Sequence, residues 1–121
     1  MPEQANPKLY DLEDRTYAFA RKVRAFVKTL PRTICNIEDV KQVVRSSGSV
    51  GANYIEANEA LSTKDFIMRI RICRKEAKES RYWLRLLDTR TSGQAEAERE
   101  KLIQESTELM KIFAAILRKS Q

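Results

Sequence analysis

Five bases, Arg71, Arg74, Lys78, Arg81 and Arg85, recur at alternating steps of three and four residues, which is the repeat of one helical stripe. The first four have no Asp or Glu three or four positions away, so no pair along the same helix can neutralise them. Cations spaced this way suit the phosphates of a nucleic acid. A second outlet is open. On an antiparallel neighbour, Glu98 and Glu105 repeat at the seven-residue interval of Arg85 and Lys78, and could meet them as interhelical bridges. Arg74 and Arg81 are the bases least open to such pairing. Arg21 and Arg24, earlier in the chain, could extend the patch.

Other chemistry is scarce. The chain has no histidine, so no Ser–His or Cys–His nucleophile pair can exist. Cys35 and Cys73 stand apart, too few for a structural zinc site, and read as reduced, buried thiols. No phosphate-binding glycine loop follows a strand, since Gly48 and Gly51 fall inside a helical phase. Glu56 is expected to bridge Arg69 or Arg71 across an antiparallel turn, and Asn53 to be a buried hydrogen-bonding residue. Neither enzymatic activity nor any cofactor or metal is expected.

Four amphipathic segments must position these residues. The first is expected over about Asp14 to Leu30, capped by Asp11 or Asp14. Leu12, Phe19, Val23, Phe26 and Leu30 form its stripe, and Pro31 stops it. The second starts near Asn36 as N-cap, with Ile37, Val40, Val44, Gly48, Gly51 and Ile55 on one face. Its centre is a run of serine and glycine at residues 46–51, where each glycine costs about 1 kcal/mol relative to Ala in a helix interior. A loop is the competing reading. The persistence of phase from Val44 to Ile55 favours one helix whose small face admits a close neighbour. The third, capped by Ser62, carries an unbroken seam of Phe66, Ile70, Cys73, Ala77, Ser80, Leu84 and Leu87. Ile72, Tyr82 and Trp83 lie off that seam and are candidates for an oligomer contact. The fourth, about Ala95 to Arg118, follows a loop of Thr91, Ser92 and Gly93, with Leu102, Ser106, Leu109, Phe113 and Ile116 as its seam. Short links between long helices imply an all-α, antiparallel up-down-up-down four-helix bundle over residues 11–121, behind a loose tail at residues 1–10.

With 121 residues, 33% of them charged and only three glycines and three prolines, the chain suits one helical domain. The net charge of +6 lies on the first helix (+4 over residues 8–32) and the third (+5 over residues 64–90). The second carries −2 over residues 36–60, and the fourth is balanced. That excess favours polyanionic partners. No apolar run is long enough to span a membrane and the amino terminus has no secretory pattern, so a cytoplasmic location is expected.

Residues 46–84 add a family likeness. A small-residue helix ends in an Asn-x-x-Glu element, Asn53 and Glu56. A Ser-x-x-Asp-Phe element follows at Ser62, Asp65 and Phe66. A basic helix then holds Lys75 to Ala77 and closes with Tyr82, Trp83 and Leu84. The block resembles the bacterial four-helix-bundle family named for proteins encoded in 23S rRNA intervening sequences, also called ribosomal-protein-like. The chain departs from the commoner family form at Gly51, where that form has Pro, and at Asn58, where it has Gly. The resemblance implies a bundle assembled as a ring-like homopentamer with no enzymatic activity. Related accessory proteins of diversity-generating retroelements engage reverse transcriptase and RNA, so structured RNA or a ribonucleoprotein is the expected partner. A protein-binding scaffold without nucleic-acid contact is the alternative.

Overall fold

The structure, a computed structural model, describes residues 12–121; the tail expected at residues 1–10 and the possible cap Asp11 lie outside them. Four helices follow in order: α1 (Leu12–Val27), α2 (Ile34–Asn58), α3 (Thr63–Leu86) and α4 (Gly93–Ser120). Each packs against its neighbours in sequence, and α1 also packs against α4. Among the described residues the diagonal pairs, α1 with α3 and α2 with α4, do not pack backbone to backbone. The cross-section is therefore a square, the expected antiparallel four-helix bundle.

The seams follow from heptad spacing. On α1, Leu12, Thr16, Phe19, Val23 and Phe26 are buried at steps of 4, 3, 4 and 3. Thr16 completes the expected stripe, and its hydroxyl donates to Leu12 O at 2.8 Å. The helix ends at Val27 rather than Leu30. Pro31 disfavours helical geometry in the residue before it, and the Thr29 hydroxyl takes the Phe26 carbonyl at 2.7 Å. Leu30 still reaches the core from the turn.

α2 runs unbroken through the serine–glycine centre, as the phase argument required, but its buried face is not the one expected. Asn36, Val43, Ser46, Ser47, Val50 and Ala57 are buried, while Ile37 and Ile55 are exposed. Asn36, Val40, Val43, Ser47, Val50, Tyr54 and Ala57 form a regular heptad seam. Its polar members hide it from a hydrophobicity count. Thr33, not Asn36, is the N-cap, accepting from the Asn36 N–H at 3.1 Å. The Asn36 amide instead donates to Pro31 O and Asp88 O and accepts from the Asp88 N–H, each at 2.9 Å. One buried side chain thus joins the α1–α2 and α3–α4 loops, with both amide protons donated and its oxygen accepting.

α3 matches its seam, with Ile70, Cys73, Ala77, Ser80 and Leu84 buried and Ser62 accepting from the Asp65 N–H at 3.0 Å. α4 starts two residues early, since Ser92 caps it by accepting from the Ala95 N–H. Leu117 rather than Ile116 ends its buried row. Arg99 reaches back to the carbonyls of Leu84 and Leu87 and to Glu96, closing the last turn of α3. Both cysteines are free. Cys73 is buried, which pushes its thiol up to about 12, whereas Cys35 is exposed, contrary to expectation, because Asn36 takes the inward position beside it.

The small residues do set a close approach. A Cβ added to Gly51 would lie 2.8 Å from Thr16 Oγ1 and 3.2 Å from Thr16 Cβ, a buried side chain with no room to yield. At Gly48 the nearest atom is the flexible end of Arg24, at 3.4 Å. Gly48→Ala should therefore stabilise the protein by up to about 1 kcal/mol through helix propensity. Gly51→Ala should destabilise it, since overpacking costs about 1–3 kcal/mol and outweighs that gain. Denaturant unfolding of the two variants should give midpoint shifts of opposite sign.

Candidate nucleic-acid interface

The α3 seam fixes where the bases point. With Ile70, Cys73, Ala77, Ser80 and Leu84 turned inward, Glu76 and Glu79 fall on the flank facing α2. Arg71, Arg74, Lys78, Arg81 and Arg85 fall on the outer side toward α4. Arg45 of α2 bridges Glu76 at 3.3 Å and Glu79 at 3.2 Å. Glu76 is only 7% exposed, so this guanidinium holds a carboxylate that water barely reaches. The two inner acids of α3 are thus taken by α2 and do not screen the basic stripe.

Two acids of α4, Glu105 and Glu108, are taken as well, by α1. Arg15 meets Glu105 through two donors, at 2.7 and 2.8 Å, and Glu108 at 2.8 Å. These two carboxylates hold the guanidinium protonated more firmly than usual. Glu98 pairs with Lys101, one turn on. The expected bridges from Glu98 to Arg85 and from Glu105 to Lys78 do not form. A seven-residue interval does not say on which flank of a seam a residue lies, and these acids lie on the flank facing α1. The flank facing α3 presents Thr107, whose hydroxyl accepts from Arg81 at 3.4 Å. Among the described residues, Arg71, Arg74, Lys78, Arg81 and Arg85 make no ion pair.

Arg21 and Arg24 do not join this stripe. They belong to α1, diagonal to α3, and look toward α2. Arg21 lies over the Tyr17 ring, 5.8 Å from its centroid, and Arg24 donates to Ala20 O at 3.2 Å. Both border a groove of about 460 Å³ floored by Gly48 and Gly51 and walled by Tyr17, Ala20, Ala52 and Ile55. The molecule therefore has two basic surfaces, a long one on α3 and a short one beside an apolar groove.

Glu56 makes no bridge to Arg69 or Arg71 and stays exposed. Arg69 instead donates to Asn53 Oδ1 at 3.1 Å, while Asn53 Nδ2 donates to Ser49 O at 2.9 Å, so Asn53 is half-buried and doubly bonded. Of the three off-seam residues, Ile72 and Trp83 are half-buried and Tyr82 is 55% exposed, its ring meeting Trp83 edge-on at 5.1 Å. Sequence reasoning missed Arg15 and Arg45, whose partners lie 31 to 93 residues away, and the link from Asn36 to Asp88, 52 residues on. No group of three His, Cys, Asp or Glu side chains among the described residues could hold a metal ion. No helix among them is long and apolar enough to cross a membrane.

Helix order and packing together define an antiparallel four-helix bundle. The chain belongs to the 23S rRNA-intervening sequence protein family, whose model matches residues 10–115. It is similar to the crystal structure of a protein of unknown function from the S23 ribosomal protein family of Bacteroides thetaiotaomicron. Their identity is 35% and the TM-score 0.73, over 87% of this chain and 96% of that one. No curated protein sequence matches the chain.

Because the internal acids serve Arg15 and Arg45, the α3 bases should be dispensable for folding. Arg15→Gln should cost about 1–2 kcal/mol by removing both hydrogen bonds to the half-buried Glu105 carboxylate. Lys78→Gln and Arg85→Gln should each change stability by less than about 0.5 kcal/mol. Chemical denaturation of the three variants checks this ranking.

Proposed function

We propose that this protein is a non-enzymatic, homo-oligomeric helical bundle that binds structured RNA or a ribonucleoprotein through the outer face of α3. One observation carries the reading. Five bases share a surface over about 21 Å of helix, and no acid within the described residues neutralises them. Lysine and arginine left unpaired on a rigid element hold a high local positive potential, and release of phosphate counterions is what such a surface converts into affinity.

Self-assembly, with five copies as the expected number, draws on apolar side chains that one bundle leaves uncovered. Tyr17 and Ile55 flank the α1–α2 groove, and Met68 and Leu86 stand on the outside of α3. Ile72 and Trp83 would back the α3 contact from their half-buried positions. The groove also favours a second reading, a protein-binding scaffold or adaptor in which α3 meets no nucleic acid. A partner such as a reverse transcriptase would fit either reading, by its RNA or by its protein surface.

Replacing Arg74, Lys78 and Arg81 together with Gln should weaken RNA retention and lower the slope of log affinity against log salt by about 2–3. Filter binding over a salt series measures both. Unchanged affinity and slope would favour the scaffold. Light scattering should give a mass several times the 14.0 kDa protomer, and a monomer at micromolar concentration would refute the assembly.

A further inference from the structure

Tyr82 stands within the basic stripe rather than beside it. On a helix its neighbours toward α4 are Lys78, one turn before, and Arg85, one turn after, with Lys75 two turns before. Toward α2 its neighbours are Glu79, whose carboxylate is held by Arg45 at 3.2 Å, and Leu86. The ring is 55% exposed, and its hydroxyl makes no hydrogen bond to another described residue. The edge-on contact with Trp83, at 5.1 Å and 78°, braces it from one direction. Trp83 in turn packs against the core. The result is an aromatic plane held on a rigid helix, open to solvent and flanked by cations.

A contact with another protein would ask for something else. The centre of a protein interface is depleted of lysine, whereas Lys75 and Lys78 stand along one side of this ring. A nucleobase meets both features at once, since its flat face stacks on an aromatic ring while the phosphates either side meet Lys and Arg. A base can stack in this way only where it is not already paired and stacked within a duplex.

We infer that Tyr82 is a stacking platform for an unpaired nucleobase, with Lys78 and Arg85 holding the adjoining phosphates. The inference rests on the RNA-binding reading of α3 and sharpens it. The preferred RNA exposes unpaired bases in a loop, bulge or single strand, and a continuous duplex engages only the cations. It also moves Tyr82 from the assembly surface to the nucleic-acid surface.

The test uses the full chain and two labelled probes of equal length, an oligouridine strand and a blunt-ended RNA duplex, followed by fluorescence anisotropy over a salt series. Tyr82→Leu should weaken strand binding about tenfold, leave duplex binding unchanged and leave both salt slopes unchanged. Tyr82→Phe, which keeps the ring, should bind as the parent does. Trp83, the only tryptophan of the chain, should be quenched by the strand in the parent and much less in Tyr82→Leu. If Tyr82→Leu loses nothing while the Arg74, Lys78 and Arg81 triple variant weakens both probes, stacking is overturned and the basic surface stands. Equal losses on strand and duplex also overturn it, as does a drop in assembly mass in Tyr82→Leu, which would return the ring to a contact between copies. If the parent binds neither probe, the inference falls together with the reading beneath it.

Discussion

α2 and α3 meet at their centre through a pair of buried hydroxyls, and the rest of the molecule depends on that contact. Ser46 and Ser80 are fully buried with their oxygens 2.9 Å apart, and Ser80 also bonds the Glu76 carbonyl at 2.8 Å. Small side chains at the centre let the two helices lie close along their length. At that separation Arg45 spans to Glu76 and Glu79, and Arg69 to Asn53. Glu76, Glu79, Arg69 and Asn53 are thereby committed to the fold. The opposite flank of α3 keeps bases without ion pairs, because Glu76 and Glu79 serve Arg45. Leucines in place of the serines would spread the helices and leave a buried carboxylate short of its partner.

Much of the architecture was legible in the sequence because it rests on periodicity. The α3 seam is apolar or small at every step, and its residues from Ile70 to Leu87 are buried, with Phe66 half-buried at its start. The α2 seam was misplaced because Asn36 and Ser47 occupy heptad positions where hydrophobicity gives no sign, while Ile37 and Ile55 drew attention to a face that stays outside. Asn36 shows the limit plainly. Its residue type and its place before a helix suggest a cap, and only the arrival of Asp88 from the far side of the chain makes it a buried link. The stripe on α3 could be listed from spacing, but its freedom from acids could not. That turns on which flank of α4 faces it, and heptad arithmetic is the same for both.

The two groups of bases are separate for a similar reason. Arg21 and Arg24 carry the same charge as the α3 residues, yet a square of four helices sets α1 and α3 on a diagonal. Charge counts by segment cannot see this, since +4 on one helix and +5 on another sum to one number whether the helices touch or not. The groove beside Arg21 and Arg24 is likewise a product of the glycines, whose missing side chains both admit Thr16 and leave space further along.

The Arg15 clamp has one more consequence. Three of the four helix contacts join neighbours in sequence, but α1 and α4 close the bundle from its two ends, and the polar part of that closure is ionic, across 90 and 93 residues. The cost in chain entropy of bringing such distant segments together must be met at this seam. Dissolved ions therefore act on the molecule at two addresses. They gather at the unpaired bases on the outer face of α3, and they also loosen the joint that completes the square. Ionic strength is a variable of the scaffold itself, felt first where its beginning meets its end.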